Sequence, residues 1–208
     1  MNEAFLTLPV EKQERIINAA LEVFSKHDYK KANTDDIAAI AGISKGSLFY
    51  YFKNKEGLFM YLFDYVVNLV SEYVKINDYL EITDFFELMD YGAKRKIVMI
   101  EKNPYIFEFT MKCFLQEDGP VSQQLRETIS NLMKSTYGTY FSHIDTSKFK
   151  DGINFKDVYD ILAYATEGYV QALRSNHQSI NIDSMMKEFY RWSVLFKKMA
   201  YKEEFLDE

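Results

Sequence analysis

Lys45, Ser47 and Tyr50 stand within two helical turns of one another in the stretch ISKGSLFYYFKNKEGL, residues 43–58, with Gly46 between them. An ammonium, a hydroxyl and a phenol at this spacing share one exposed side of a short helix. No general base stands beside the hydroxyl, so they make no activated nucleophile. They can donate hydrogen bonds to phosphate oxygens and to the edges of bases. Gly46 in mid-helix costs about 0.5–1 kcal/mol against alanine. A helix that only filled a core would gain nothing from that cost, whereas a missing side chain lets the backbone approach a partner closely.

Other chemistry is absent from the pattern. The chain of 208 residues has one cysteine, Cys113, and three histidines, His27, His143 and His177, at spacings that form no metal-ligand set. It has no phosphate-cradling glycine loop and no Gly-x-Ser-x-Gly, so no catalytic residue, metal site or cofactor is expected. A single cysteine fits a reducing cytoplasm. No apolar run approaches the roughly 18 residues of a membrane span, and the start MNEAFLTLPVEKQ lacks the marks of a secretory signal. A cytoplasmic protein without a membrane partner is expected.

The net charge of −6 at first argues against a polyanionic partner, but its distribution does not. Residues 1–60 hold eight basic and eight acidic side chains, so the whole excess of acid lies in the remainder. From Lys26 to Lys55 there are six lysines and three aspartates, a mildly positive patch on an acidic body.

The elements that must position the short helix read as helices throughout, because apolar residues recur every three or four positions. The first runs from about Pro9 to Lys26 on a stripe of Ile16, Ile17, Ala20, Leu21 and Phe24, with Asp28 in a left-handed stop position. Thr34 is read as the N-cap of the next, which Gly42 ends. Ser44 caps the short helix, and Asn54 caps a long one to about Ile76. After a break at Asn77–Asp78, helices open at Thr83, at Asn103–Pro104 (to about Gln116), at Gly119–Pro120, at Asn154 and at Asp183, the last reaching about Phe205. The predicted fold is all-α: an N-terminal three-helix helix-turn-helix domain and a C-terminal helical domain, about nine helices in all.

Two short helices joined by a glycine turn and braced by a longer one make a helix-turn-helix, whose second helix enters the DNA major groove. Lys45 then reaches a base edge or phosphate, Ser47 either, and Gly46 admits the backbone. Tyr50 and Tyr51 remain on the outer side as phosphate donors. Thr34, Ser44 and Lys55 sit at three helix N-termini, where free amides attract anions.

The segment TDDIAAIAGISKGSLFYYFKNKEGL closely resembles the DNA-binding domain of the tetracycline-repressor (TetR) family. Thr34, Ile37, Ala38, Ala41, Gly42, Ile43, Ser44, Gly46, Leu48, Phe49, Tyr51, Phe52, Lys55, Glu56 and Leu58 match its pattern, and RIINAALEVFSKHDY matches its first helix. Asp28 departs from the glycine usual there. The resemblance covers about residues 9–70. It implies a DNA-binding domain over 8–55, with the helix-turn-helix at about 33–52, and a ligand-binding and dimerisation domain over 56–208. It further implies a homodimeric regulator, usually a repressor, on a palindromic double-stranded operator, with a small hydrophobic or amphipathic effector. The alternative is an architectural or cell-division DNA-binding protein on the same fold.

In the second half, Phe86, Met89, Phe107, Met111, Phe114, Tyr164 and Trp192 are candidate linings of an apolar ligand pocket. Leu162, Ala165, Gly168, Tyr169, Ala172, Leu195, Phe196 and Met199 are candidates for a dimer interface built from the last two long helices of each subunit. Glu108 is read as a surface partner of Lys112, and Glu167 as one of Gln171.

Overall fold

The apolar stripe of the second helix decides how the first half packs. Residues 3–75, 79–114, 120–176, 178 and 181–206 are described by the computed structural model, without the side chains of 114, 120–122, 132–136 and 174. A short α1 (Glu3–Leu6) leads into α2 (Val10–Lys26), α3 (Thr34–Ala41), α4 (Lys45–Phe52) and α5 (Lys55–Tyr73). There follow α6 (Phe85–Lys102), α7 (Ile106–Phe114), α8 (Pro120–Tyr140), α9 (Phe155–Ser175) and α10 (Ile182–Ala200). Among the described residues, β pairing is confined to one isolated bridge between Phe149 and Tyr201. The fold is all-α, with an N-terminal helix-turn-helix followed by helices.

The chain forms two compact units, Met1–Lys75 with Val98–Thr139, and Ile76–Ile97 with Tyr140–Glu208. In the first, the predicted stripe Ile16, Ile17, Ala20, Leu21 and Phe24 is buried. Phe24 packs edge-on against Phe59 of α5, ring centroids 5.0 Å apart, and both rings meet Phe109 of α7 at 6.4 and 5.2 Å. Phe5 of α1, fully buried, is inserted among Tyr51, Phe52 and Tyr61. The sequence pattern gave no sign of α1, since four residues carry no periodicity. The side chain of Arg15 ties α2 to the end of α3 by donating to the Ala41 carbonyl at 2.8 Å.

The second unit is built on rings. Phe85, fully buried, meets Phe86, Phe141, Phe149 and Phe155. Tyr201 packs on Phe86 and Phe149, and its hydroxyl oxygen accepts from the Phe85 amide at 3.2 Å. Gly92 leaves room for Tyr140: a Cβ there would stand 2.6 Å from the Tyr140 hydroxyl, which donates to the Leu88 carbonyl at 3.0 Å.

Several helix ends differ from expectation by one or two residues, for one recurring reason. An Asn or Asp side chain can accept from the amide two or three residues on, and it takes the cap wherever one is available. Asn33, not Thr34, caps α3 through the Asp35 amide. Asp84, not Thr83, caps α6 through the amides of Phe86 and Glu87. Asn181, not Asp183, caps α10 through Ser184. Pro9 stands at the N-cap of α2, one position before the helix. Asp28 is not left-handed; among described residues only Lys53 has a positive φ without being glycine. Asp28 instead accepts at its carbonyl from the amides of Lys31 and Ala32. The last helix stops at Ala200, where the backbone turns to the bridge with Phe149. The expected break at Asn77–Asp78 and the expected helix boundaries at Gln116 and Gly119 lie outside the described residues.

Asp84 is buried and paired with Lys148 at 2.9 Å. Burial pushes its carboxyl up, but hydrogen bonds from Lys148 and the Glu87 amide, with the charges of Lys148 and Lys197, outweigh that and hold it below the ordinary carboxylate value. A carboxyl depressed by folding stabilises the fold above its unfolded value of about 3.9 and loses that contribution as pH falls through the folded value. Asp84→Ala is therefore expected to lower Tm by a constant margin from pH 8 to pH 5. Thermal melts should show the margin narrowing only below about pH 4.

Candidate nucleic-acid interface

The turn between α3 and α4 is set by Gly42, whose φ of 65° is a conformation that a side chain would strain. Its amide donates back to the Ala39 carbonyl at 3.1 Å, and the Ile43 amide to Ala38 at 3.0 Å. Ser44 then caps α4 by accepting from the Ser47 amide at 3.0 Å. Leu48 and Phe52 face inward and are buried, which turns Ser44, Lys45, Gly46 and Tyr50 outward.

On that outer side, Tyr50 is 61% exposed. The Lys45 ammonium pairs with Asp35 of α3 at 2.9 Å, both groups being half exposed. A pair so placed contributes under about 1 kcal/mol and is readily exchanged for a phosphate or a base. The Ser47 hydroxyl lies 2.9 Å from that of Ser44. Among the described residues a Cβ on Gly46 would meet only Ser44 Oγ, at 3.8 Å, an ordinary contact that does not require glycine there. The space in front of Gly46 is open to a partner.

Two expected contacts are differently placed. Tyr51, 9% exposed, is not on the outer side: its ring packs on Phe5 and stands behind Tyr50, centroids 5.6 Å apart. Thr34, 8% exposed, is the first helical residue behind the Asn33 cap. The remaining anchor, Lys55, lies in the first turn of α5 over the Tyr29 ring at 4.8 Å and donates to the Lys30 carbonyl at 3.3 Å. Desolvation there lowers its pKa.

The residues predicted for a ligand pocket do not form one group. Phe107 and Met111 are half-buried on α7, in the first unit; Phe86, Met89 and Trp192 belong to the second, with Phe86 buried. The Phe114 side chain lies outside the described residues. Tyr164 is 69% exposed, on the surface rather than in a pocket lining. Two clefts of about 250 and 410 Å³ are lined by other residues, the first by Asn18, Leu21 and 102–106, the second by Thr146, Phe149 and 152–155.

On α9 and α10, Tyr169 and Trp192 meet edge-on at 5.8 Å. Leu162 is 2% exposed and belongs to the core of its own chain, a correction to its assignment as an interface residue. Ala165, Tyr169 and Phe196 are half-buried, whereas Gly168, Ala172, Leu195 and Met199 are exposed. They share an apolar face with exposed Ile161, Tyr164 and Val194. Among the described residues nothing lies within 4 Å of a Cβ placed on Gly168. Lys112 pairs with Asp28 at 3.6 Å rather than with Glu108, while Gln171 does donate to Glu167 at 3.4 Å.

Residues 16–62 match the family described as bacterial regulatory proteins, tetR family. This stretch, from α2 into α5, carries that family's domain. It is 34% identical over 65 residues to the HTH-type transcriptional regulator YerO of Bacillus subtilis, a match spanning 31% of this chain and only 22% of that protein. It is 25% identical over 146 residues to YhgD of the same organism, covering 70% and 71% of the two chains. The structure of the transcriptional regulator FadR from Bacillus subtilis, solved with stearoyl-CoA, superposes with a TM-score of 0.62 at 19% identity over 86% of this chain and 96% of that one, which shows a shared fold.

Within the matched stretch, the elbow between α4 and α5 carries two residues that the sequence reading passed over. Lys53, at φ 67° and ψ −55°, closes a tight turn in which the Asn54 amide donates to the Phe52 carbonyl at 2.8 Å. That is the strained form of the three-residue turn. Gly57, whose amide donates to Asn54 Oδ1 at 2.7 Å, passes so close beneath that a Cβ would stand 2.3 Å from the Phe52 oxygen. The signal that finds Gly57 is a glycine in the first turn of a helix already capped by asparagine. Lys53→Gly is expected to raise stability in urea by about 1 kcal/mol through relief of strain. Gly57→Ala is expected to lower it by about 2 kcal/mol or more, because backbone must move. A stabilising Gly57→Ala would show that the elbow is loose.

Proposed function

We propose that the chain is a cytoplasmic, homodimeric, ligand-responsive transcriptional repressor. Residues 8–55 would read a palindromic operator, and 56–208 would hold the effector and the dimer contact. The observation that carries this is the outer side of α4: an exposed Tyr50, an exchangeable Lys45, the Ser47 hydroxyl beside that of Ser44 and an open Gly46, all held on a buried core. Groups so placed donate to base edges and phosphates in a major groove. Lys55 and Thr34 lie at the first turns of α5 and α3, where a phosphate would meet free amides.

One short helix presents too little surface for tight specific binding, so two copies are required, with half-sites about 34–36 Å apart or a multiple of it. The apolar face of Ile161, Tyr164, Gly168, Val194, Leu195 and Met199 supports a second copy as its partner, since small Gly168 permits close helix approach. Among the described residues no helix is long and apolar enough to cross a membrane, and no cluster of His, Cys, Asp or Glu is arranged to hold a metal ion.

An effector would act through α7. Phe107 and Met111 lie on the same nine-residue helix as Phe109, whose ring meets Phe24 of α2 and Phe59 of α5. A ligand that repositions α7 displaces the two helices that brace the reader, and it acts only through its different affinity for the two arrangements. The effector is a small hydrophobic or amphipathic molecule, in keeping with the acyl thioester held by the structurally similar FadR.

Selection of bound duplexes from fragmented source genome at about 0.15 M salt is expected to return an inverted repeat with the unmodified chain. The Lys45→Ala, Tyr50→Ala double variant is expected to return none. Lys45→Ala alone should weaken binding by about 1–3 kcal/mol and reduce the salt slope by about one ion. Enrichment without a motif would favour the architectural alternative.

A further inference from the structure

The two helices of the helix-turn-helix carry little charge, and its sign is wrong for a polyanion. From Thr34 to Phe52 the only basic residue is Lys45, against Asp35 and Asp36, so one positive charge meets two negative ones. Asp35 stands in the first turn of α3, where its amide donates to Asn33 Oδ1 at 2.9 Å. Its carboxylate is more than half exposed, and Oδ2 accepts from the Lys45 ammonium at 2.9 Å. The same ammonium lies 6.0 Å from the centre of the Phe49 ring. Among the described residues Asp35 Oδ1 accepts nothing, and Lys45 gives only one of its three ammonium hydrogens. The outer side of the motif therefore presents a spare acceptor and spare donors side by side.

A carboxylate brought up to DNA is repelled by the phosphates unless it faces a donor. In the major groove the donors are the exocyclic amines of cytosine and adenine. Within a base pair that amine gives one hydrogen to the keto oxygen opposite, across an N–H···O bond of about 2.9 Å. Its second hydrogen and the oxygen's second lone pair both point into the groove. The Asp35–Lys45 pair has the complementary order at the same spacing, acceptor beside donor at 2.9 Å, and meets both edges without being broken. The flanking atoms choose between the base pairs. With G·C, guanine N7 lies on the lysine side and is a further acceptor for the ammonium. With A·T, adenine N7 lies on the aspartate side and opposes the carboxylate, while the thymine methyl crowds the ammonium. With the pair reversed to C·G, donor faces donor and acceptor faces acceptor.

We infer that Asp35 and Lys45 together read one G·C base pair in each half-site, Lys45 on guanine O6 and N7 and Asp35 on the cytosine amine. The inference rests on the reading of α4 as the DNA-reading helix, and it adds Asp35 as a residue that determines specificity. Lys45 alone makes a poor discriminator, since an ammonium donates to any acceptor, phosphate oxygens included. Asp35 supplies the missing selectivity. Its charge opposes binding on every sequence and is compensated only where a cytosine amine stands opposite, so wrong sites lose more than the right one.

The test is fluorescence anisotropy of the full chain, at about 0.15 M salt, on the inverted repeat returned by selection and on duplexes altered one base pair at a time. At one G·C pair in each half-site, replacement by A·T is expected to weaken the parent about 5- to 150-fold. N4-methylcytosine at that pair keeps the base pairing, but its methyl takes the place of the hydrogen that faces Asp35. It should weaken the parent at least about fivefold and Asp35→Ala by less than about twofold. 7-Deazaguanine at the same pair removes the acceptor that faces Lys45 and should weaken the parent and Asp35→Ala alike. Asp35→Ala alters an exposed pair that contributes little to stability, so it should fold as the parent does. Equal sensitivity of parent and variant to the methyl group, or insensitivity of both, would overturn the inference. So would an Asp35→Ala effect that is one common factor on every duplex, the mark of a residue that only braces α3 against α4 or only repels phosphate. A motif in which no G·C pair responds removes the role of Asp35 and leaves α4 as the reader, whereas the absence of any motif removes both.

Discussion

The Phe52 carbonyl is the point on which the reading end of the molecule turns. It accepts from the Asn54 amide across a tight bend, and the backbone of Gly57 passes directly beneath it. The bend joins α4, which presents Lys45, Ser47 and Tyr50, to α5, whose Leu58, Phe59 and Leu62 are anchored in the core. With only two residues between the helices and one in a left-handed conformation, α4 has little freedom to pivot about α5. Backbone strain of about 1–3 kcal/mol at Lys53 is tolerated because buried rings on both sides over-determine the bend. Phe5 is part of that arrangement: its ring touches Tyr51 and Phe52 of α4 and Tyr61 of α5, so the short α1 closes the elbow from outside.

A rigid elbow has a consequence for how any signal could travel. If α4 cannot turn on α5, it must move with α5, together with α2 and α3, as one body. The same body includes α7 through the contacts of Phe109 with Phe24 and Phe59. The compact unit accordingly does not stop at the end of the helix-turn-helix but takes in residues 98–139. Movement of a whole body alters the separation of two readers in a dimer without deforming either one. Packed interiors favour that kind of response, since they shift between discrete arrangements rather than bending smoothly.

Legibility in the sequence followed local chemistry. Gly42, Ser44 and Asn54 were readable because a left-handed stop and an N-cap each need a particular side chain, and the buried stripe of α2 because its period is strict. The caps at Asn33, Asp84 and Asn181 were missed by one or two positions, since a threonine or aspartate nearby satisfied the same rule equally well on paper. Tyr51 and Tyr50 are adjacent and chemically identical. The ring of Phe5, 46 residues before Tyr51 and in a helix without periodicity, covers Tyr51 and leaves Tyr50 exposed. Tyr164 and Leu162 traded places for the same reason. Apolar residues two apart on a helix lie on different sides, and which side meets the core is a tertiary fact.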